Sequence, residues 1–125
     1  MKYIEKDVVV LVGSGSIGQA IARRVGSGKH IVLADINLDN AQIAAKTLEN
    51  AGFKTSTIIV DISSRESILE LIEHAKSKGE ISNFIYFAGL SPSQSSIEHI
   101  LQVDLYGAAV LLEEFGKVRW IICKL

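Results

Sequence analysis

Val8-Val9-Val10-Leu11-Val12-Gly13-Ser14-Gly15-Ser16-Ile17-Gly18 is an apolar run that breaks into glycines and then into helix-forming sequence. Five aliphatic residues in a row fit a strand buried on both faces. Gly13, Gly15 and Gly18 fall at the spacing of a dinucleotide-binding turn. Asp35, seventeen residues beyond Gly18, closes a second apolar run, His30-Ile31-Val32-Leu33-Ala34. That is about the ~20-residue distance at which an acid meets the adenosine ribose. The pair points to a nucleotide site. A bare strand-to-helix turn and a solvated acid are the structural alternatives for the two features.

Outward from that turn, helix and strand signals alternate. Ile17, Ala20, Ile21 and Val25 recur at helical spacing, and Gly26 to Gly28 stop that helix before the His30 run. Asn37 is a good N-cap for a second helix with Leu38, Ala41, Ala45 and Leu48 on one stripe and Gly52 as its stop. Thr55 to Val60 reads as a third strand ending on Asp61. Ser63 and Glu66 make a capping box for a helix carrying Ile68, Leu71, Ile72 and Ala75. Ile81 to Phe87 is a fourth strand, Ser95 and Glu98 cap a long helix to about Phe115, and Val118 to Cys123 is a fifth strand. Strands spaced by helices need right-handed crossovers, so the expected fold is α/β, a doubly wound parallel sheet of order 3-2-1-4-5. Ligands of such sheets bind outside the carboxyl ends of the strands, where Gly13 to Gly18, Asp35, Asp61 and Ala88-Gly89 are expected.

Composition narrows the partners. A chain of 125 residues with 48% hydrophobic and 22% charged residues and one proline reads as one folded domain, 1–125. A net charge of -1 supplies no basic face for a nucleic acid. Cys123 is the single cysteine, which excludes an intrachain disulfide and a multi-cysteine metal site and fits a reducing compartment. His30, His74 and His99 lack metal-ligand spacing, so no metal is expected. The charged start Met1 to Asp7 and the short apolar run after it suit neither a signal peptide nor a membrane span. The expected address is the cytoplasm.

Glycine at 13 permits the tight turn, glycine at 15 lets the backbone approach a pyrophosphate, and glycine at 18 lets the helix pack on the strand. The amides and positive end of the helix beginning near Ser16 would hold phosphates. Asp35 can accept from both ribose hydroxyls and repels a 2′-phosphate, and no Lys or Arg lies between Gly13 and Gly18. NAD is therefore favoured over NADP. Asp61 with Ile62 offers a carboxylate and an apolar wall for adenine, or else an acid opening the turn before Ser63. In the long helix, Ile97, Ile100, Leu101, Leu105, Ala108, Leu111, Leu112 and Phe115 trace one apolar stripe, on which Asp104 falls. Either a partner or water satisfies Asp104, or the helix turns it toward the crevice. Val103, Tyr106 and Val110 form a second stripe, which suggests a helix-to-helix dimer contact around residues 95–115 or cover from further sequence.

The assembled pattern resembles the short-chain dehydrogenase/reductase family. The likeness rests on Gly13 to Ala22, Asp35, Val60-Asp61-Ile62, Phe87-Ala88-Gly89 and Asp104-Leu105-Tyr106-Gly107. The resemblance implies a Rossmann fold and hydride transfer between a nicotinamide cofactor and an alcohol or carbonyl. It implies that Gly13, Ser14, Gly15, Ser16, Ile17 and Gly18 hold the pyrophosphate and that Asp35 with Ile36 meets the ribose. Asp61 with Ile62 would then meet the adenine, and Ala88-Gly89 would line the cofactor. Three departures stand out. The glycine spacing is the one-then-two pattern, Phe87 replaces an asparagine, and Asp104 stands where the family's long helix carries its catalytic asparagine. The family's serine and Tyr-x-x-x-Lys pair have no counterpart, since none of Tyr3, Tyr86 and Tyr106 has lysine four residues on. The expectation is the N-terminal cofactor half of an NAD-dependent oxidoreductase, ended early and inactive alone. The alternative is a non-catalytic nucleotide-binding or subunit-interaction module.

Overall fold

Strand β1 (Asp7–Val12) occupies the middle of the sheet, and its five consecutive aliphatic residues explain why: each is at most 1% exposed. The structure, a computed structural model, describes residues 7–86, 98, 105–116 and 121–124. Within them β1 is followed by α1 (Ser16–Val25), β2 (His30–Asp35), α2 (Leu38–Asn50), β3 (Lys54–Ile59) and α3 (Arg65–Lys78). Then come β4 (Glu80–Tyr86), α4 (Ala108–Phe115) and β5 (Ile121–Lys124). The strands form one sheet in the order β3-β2-β1-β4-β5. Every neighbouring pair is parallel. This is the doubly wound, Rossmann-like arrangement expected from the sequence, and its order reverses between β1 and β4.

Alternation along β1 feeds two layers. Val8, Val10 and Val12 join Val32 and Ala34 of β2 in a core with Leu71 of α3 and Leu111 and Phe115 of α4. Val9 and Leu11 join Ile31 and Leu33 in a second core with Ala22 of α1 and Ala41 and Leu48 of α2. Successive strand side chains point to opposite faces, so an unbroken aliphatic run is what two covered faces require. Each such side chain contributes about 1.5–3 kcal/mol on burial. Phe84 of β4 and Phe115 of α4 stack with centroids 4.1 Å apart, which ties the fourth strand to the last helix.

Two local expectations are corrected. Ser63 and Glu66 do not cap α3. Ser64 is the N-cap, its side chain accepting from the Ser67 amide, because the Asp61 carboxylate has already engaged both the amide and the hydroxyl of Ser63. The buried face of α4 also differs from the expected stripe. Ala108, Val110, Leu111, Glu114 and Phe115 are inside, whereas Leu105 and Leu112 are 67% and 45% exposed.

Residues 105–107 form a wide π turn that leads into α4. Gly107 then sits so close to α3's leading loop that a Cβ there would lie 2.6 Å from the Ile62 carbonyl oxygen. That contact, with the Arg65 guanidinium gripping Glu114 at 2.7 Å and Glu113 at 3.0 Å, sets the rotation of α4. Phe87, Ala88, Gly89, Ser95, Asp104 and the stripe residues before Leu105 lie outside the described residues, as do Val118 to Trp120.

Candidate functional site

The turn after β1 owes its shape to Gly13, whose φ of 98° is one that side chains disfavour. Its amide donates to the Ala34 carbonyl at 2.8 Å, which closes the end of β1 onto the end of β2. Gly15 is the N-cap of α1 and brings no side-chain bond to the first turn. The leading amides of a helix have no partner within it, so those of Ser16, Ile17 and Gly18 are left to outside acceptors at the positive end of the dipole. Gly15 has an ordinary φ of -68°. A Cβ there would meet nothing within 4 Å. Among the described residues neither backbone nor packing calls for glycine at 15, whereas a phosphate approaching the main chain would. Ser16 and Ile17 are exposed, and Gly18 is buried on the inner face of α1. Gln19 braces the turn by donating its side-chain amide to the Ser14 carbonyl at 2.7 Å.

Asp35 lies against this turn. Ser14 donates to its Oδ2 twice, from the amide at 3.1 Å and from the hydroxyl at 2.5 Å. The Asn37 amide donates to Oδ1 at 3.0 Å, and the Asn37 side chain caps α2. A groove of about 330 Å³ opens beside them, lined by Ser14, Gly15, Gln19, Asp35, Asn40, Ile43 and Ala44. None of these residues is basic. Ile36 is exposed, and Ile43, 68% exposed, gives the groove an apolar wall. Ile43 was missed in the sequence, where its only signal was an isoleucine standing off the Ala41, Ala45 and Leu48 stripe.

Asp61 and Ile62 are placed differently. Asp61 Oδ1 accepts from the Ser63 amide at 3.0 Å and the Ser63 hydroxyl at 2.6 Å, so the turn role weighed for it is present. Oδ2 receives no hydrogen bond from a described residue. Ile62 is 7% exposed and belongs to the core that holds α3 and α4. Ala88, Gly89 and Asp104 lie outside the described residues.

A polar cluster the sequence did not reveal sits beneath β3. The Nε2 atoms of His30 and His74 lie 2.9 and 3.0 Å from the same hydroxyl, that of Ser56. Burial, and then the charge of Lys78, hold the His74 imidazole below the ordinary histidine range. No group of three or more potential ligands among the described residues could hold a metal ion. No helix among them is long and apolar enough to cross a membrane.

With this geometry in place, comparison with known proteins is informative. The family profile "short chain dehydrogenase" matches residues 6–115. The short-chain dehydrogenase/reductase bsc3 of Alternaria brassicicola is 39% identical over 115 residues, which cover 92% of this chain and 42% of that protein. Two solved structures share the fold at lower identity. A short chain dehydrogenase/reductase from Burkholderia phymatum in complex with NAD is 22% identical with a TM-score of 0.78, over 95% of this chain and 46% of the other. A metagenomic short-chain oxidoreductase in complex with NADP is 22% identical with a TM-score of 0.80, over 96% and 62%. The chain thus spans about half the length of the relatives it matches.

Proposed function

The chain belongs to the short-chain dehydrogenase/reductase family, and from that premise we propose that it is an NAD-binding domain, residues 1–125, forming the cofactor half of an oxidoreductase. NAD, when bound, accepts or returns the hydride exchanged with an alcohol or carbonyl. Gly13 to Gly18 hold the pyrophosphate through main-chain amides. Asp35 and Ile36 meet the adenosine ribose, Asp61 and Ile62 its adenine, and Ala88 and Gly89 line the cofactor.

One observation carries this reading: the Asp35 carboxylate is fixed beside the glycine turn, on a groove in which no Lys or Arg stands among the described lining residues. A fixed negative charge there favours free ribose hydroxyls over a 2′-phosphate, hence NAD over NADP. Relatives of the same fold occur with either cofactor, so the preference rests on Asp35.

Hydride transfer in this family relies on a tyrosine acid/base with a lysine four residues on. In these 125 residues Asp7, Leu90 and Val110 stand at the lysine place after Tyr3, Tyr86 and Tyr106. Asp104 replaces the asparagine of the long helix and supplies no substitute for that pair. The chain therefore binds cofactor without turning it over by itself. A second reading, a non-catalytic nucleotide-binding or interaction module, is favoured by the exposed Leu105, Tyr106 and Leu112. In the second reading this helix face pairs with another subunit, in the first it meets either another copy of the chain or further sequence, and a cytoplasmic address suits the lone cysteine.

Titration of the purified chain with NADH, NADPH and S-adenosylmethionine tests the proposal. NADH is expected to bind most tightly, with no NADH consumed when simple ketones are added. Preferred binding of S-adenosylmethionine removes the cofactor assignment, and consumption of NADH removes the claim of inactivity.

A further inference from the structure

Asp35 is already heavily engaged before any ligand arrives. An ionised carboxylate offers about four acceptor positions. Three are taken here: the Ser14 amide and hydroxyl on Oδ2, and the Asn37 amide on Oδ1. The two amides are fixtures of the fold, since one belongs to the turn tied down through Gly13 and the other precedes the first turn of α2. The Ser14 hydroxyl is different, because it can rotate without moving the backbone.

We propose that the Ser14 hydroxyl is a built-in competitor for the ribose, occupying an acceptor position on Asp35 so that the carboxylate receives one ribose hydroxyl rather than two. This rests on the NAD reading above and sharpens its ribose subsite. A ribose hydroxyl turned away from Oδ2 can still donate to the Ser14 oxygen. That exchange is a poor one, because hydrogen bonds to a neutral oxygen are roughly half as strong as those to a carboxylate. Ser14 is thus a specificity-determining residue of the adenosine end, one that holds cofactor affinity below what Asp35 alone would give. Removing its hydroxyl leaves both orienting amides in place and opens a second charged acceptor.

Calorimetric titration of the full 125-residue chain tests this with NADH and with the NADH analogue lacking the adenosine 2′-hydroxyl. Ser14→Ala is expected to bind NADH about 2–10-fold tighter than wild type, the size of one net hydrogen bond. Ser14→Gly removes the hydroxyl by a second route and is expected to show the same gain, while Ser14→Thr, which keeps it, shows none. The gain disappears with the deoxy analogue. Unchanged or weaker NADH binding by both Ser14→Ala and Ser14→Gly overturns the competitor role. Asp35→Ala separates the two levels. If it weakens NADH binding while Ser14→Ala brings no gain, only the competitor role fails. If it leaves NADH binding unchanged, or if the wild-type chain binds no NADH, the ribose assignment fails and this proposal with it.

Discussion

Two aspartates stand at or just past the carboxyl ends of two strands of the same sheet and are dressed almost alike. Asp35 accepts from the amide of Asn37, two residues on, and from a serine hydroxyl, and so does Asp61 with the amide of Ser63. The difference is where the serine comes from. At Asp61 it is Ser63 itself, and both bonds land on Oδ1 to complete a local turn before α3. At Asp35 it is Ser14, 21 residues earlier, which joins two successive strand-to-helix turns across the mouth of a groove. A short polar side chain that bonds its own turn shapes the local backbone, whereas one that reaches another turn ties the two turns together.

The same contrast divides two glycines, and it yields the largest expected effect. Gly107→Ala places a methyl 2.6 Å from the Ile62 carbonyl oxygen. It should destabilise the chain by about 1–3 kcal/mol, as overpacking does, in urea unfolding. Gly15→Ala meets no atom within 4 Å. It should leave stability within about 0.5 kcal/mol of wild type while weakening NADH binding several-fold. Equal stability losses for the two variants would dissolve the distinction between a glycine the fold needs and one a ligand needs.

Next in size is the turn acid. Asp61→Ala removes the acceptor of two local bonds and should cost about 1 kcal/mol of stability, comparable to losing a helix cap, with a smaller effect on cofactor affinity than Asp35→Ala. Thermal unfolding and NADH titration of both variants check this. A loss of affinity larger at Asp61 than at Asp35 would reverse the assignment of the two carboxylates.

The smallest effect concerns the far side of the sheet. His74 is held below its ordinary value, so the unfolded chain takes up a proton there more readily than the folded one. Its contribution to stability is complete above about pH 6.5, the ordinary histidine value, and is lost as the pH falls from there through the lowered folded value. His74→Gln should therefore slightly flatten the decline of stability below about pH 6.5. A pH profile of urea midpoints identical to wild type would show that the Ser56 cluster does not sense protons through His74.

Local patterns carried most of the fold in the sequence. Five aliphatics before a glycine turn fit a strand covered on both faces, and Asn37 stood where an N-cap is needed, so the β-α-β order and the position of Asp35 were legible. What stayed hidden depends on contacts between distant residues. The bond from Ser14 to Asp35 has no periodicity to announce it. The ion pair from Arg65 to Glu114 joins residues 49 apart in sequence, so a stripe drawn from apolar spacing alone put Leu112 inside and left Glu114 out. Ser63 and Ser64 are equivalent as caps on paper, and the choice fell to the Asp61 carboxylate. His30 and His74 meet at Ser56 because β2, β3 and α3 bring them there, although they are 44 residues apart in sequence.

The claim that Asp35 makes this a site for NAD is tested most directly by measuring the affinities of NADH and NADPH for the wild-type chain and for Asp35→Ala. The wild type should prefer NADH by about tenfold or more, a difference of ~1.4 kcal/mol, and Asp35→Ala should lose most of that preference. Equal affinities in the wild type, or a preference that survives the substitution, would contradict the account.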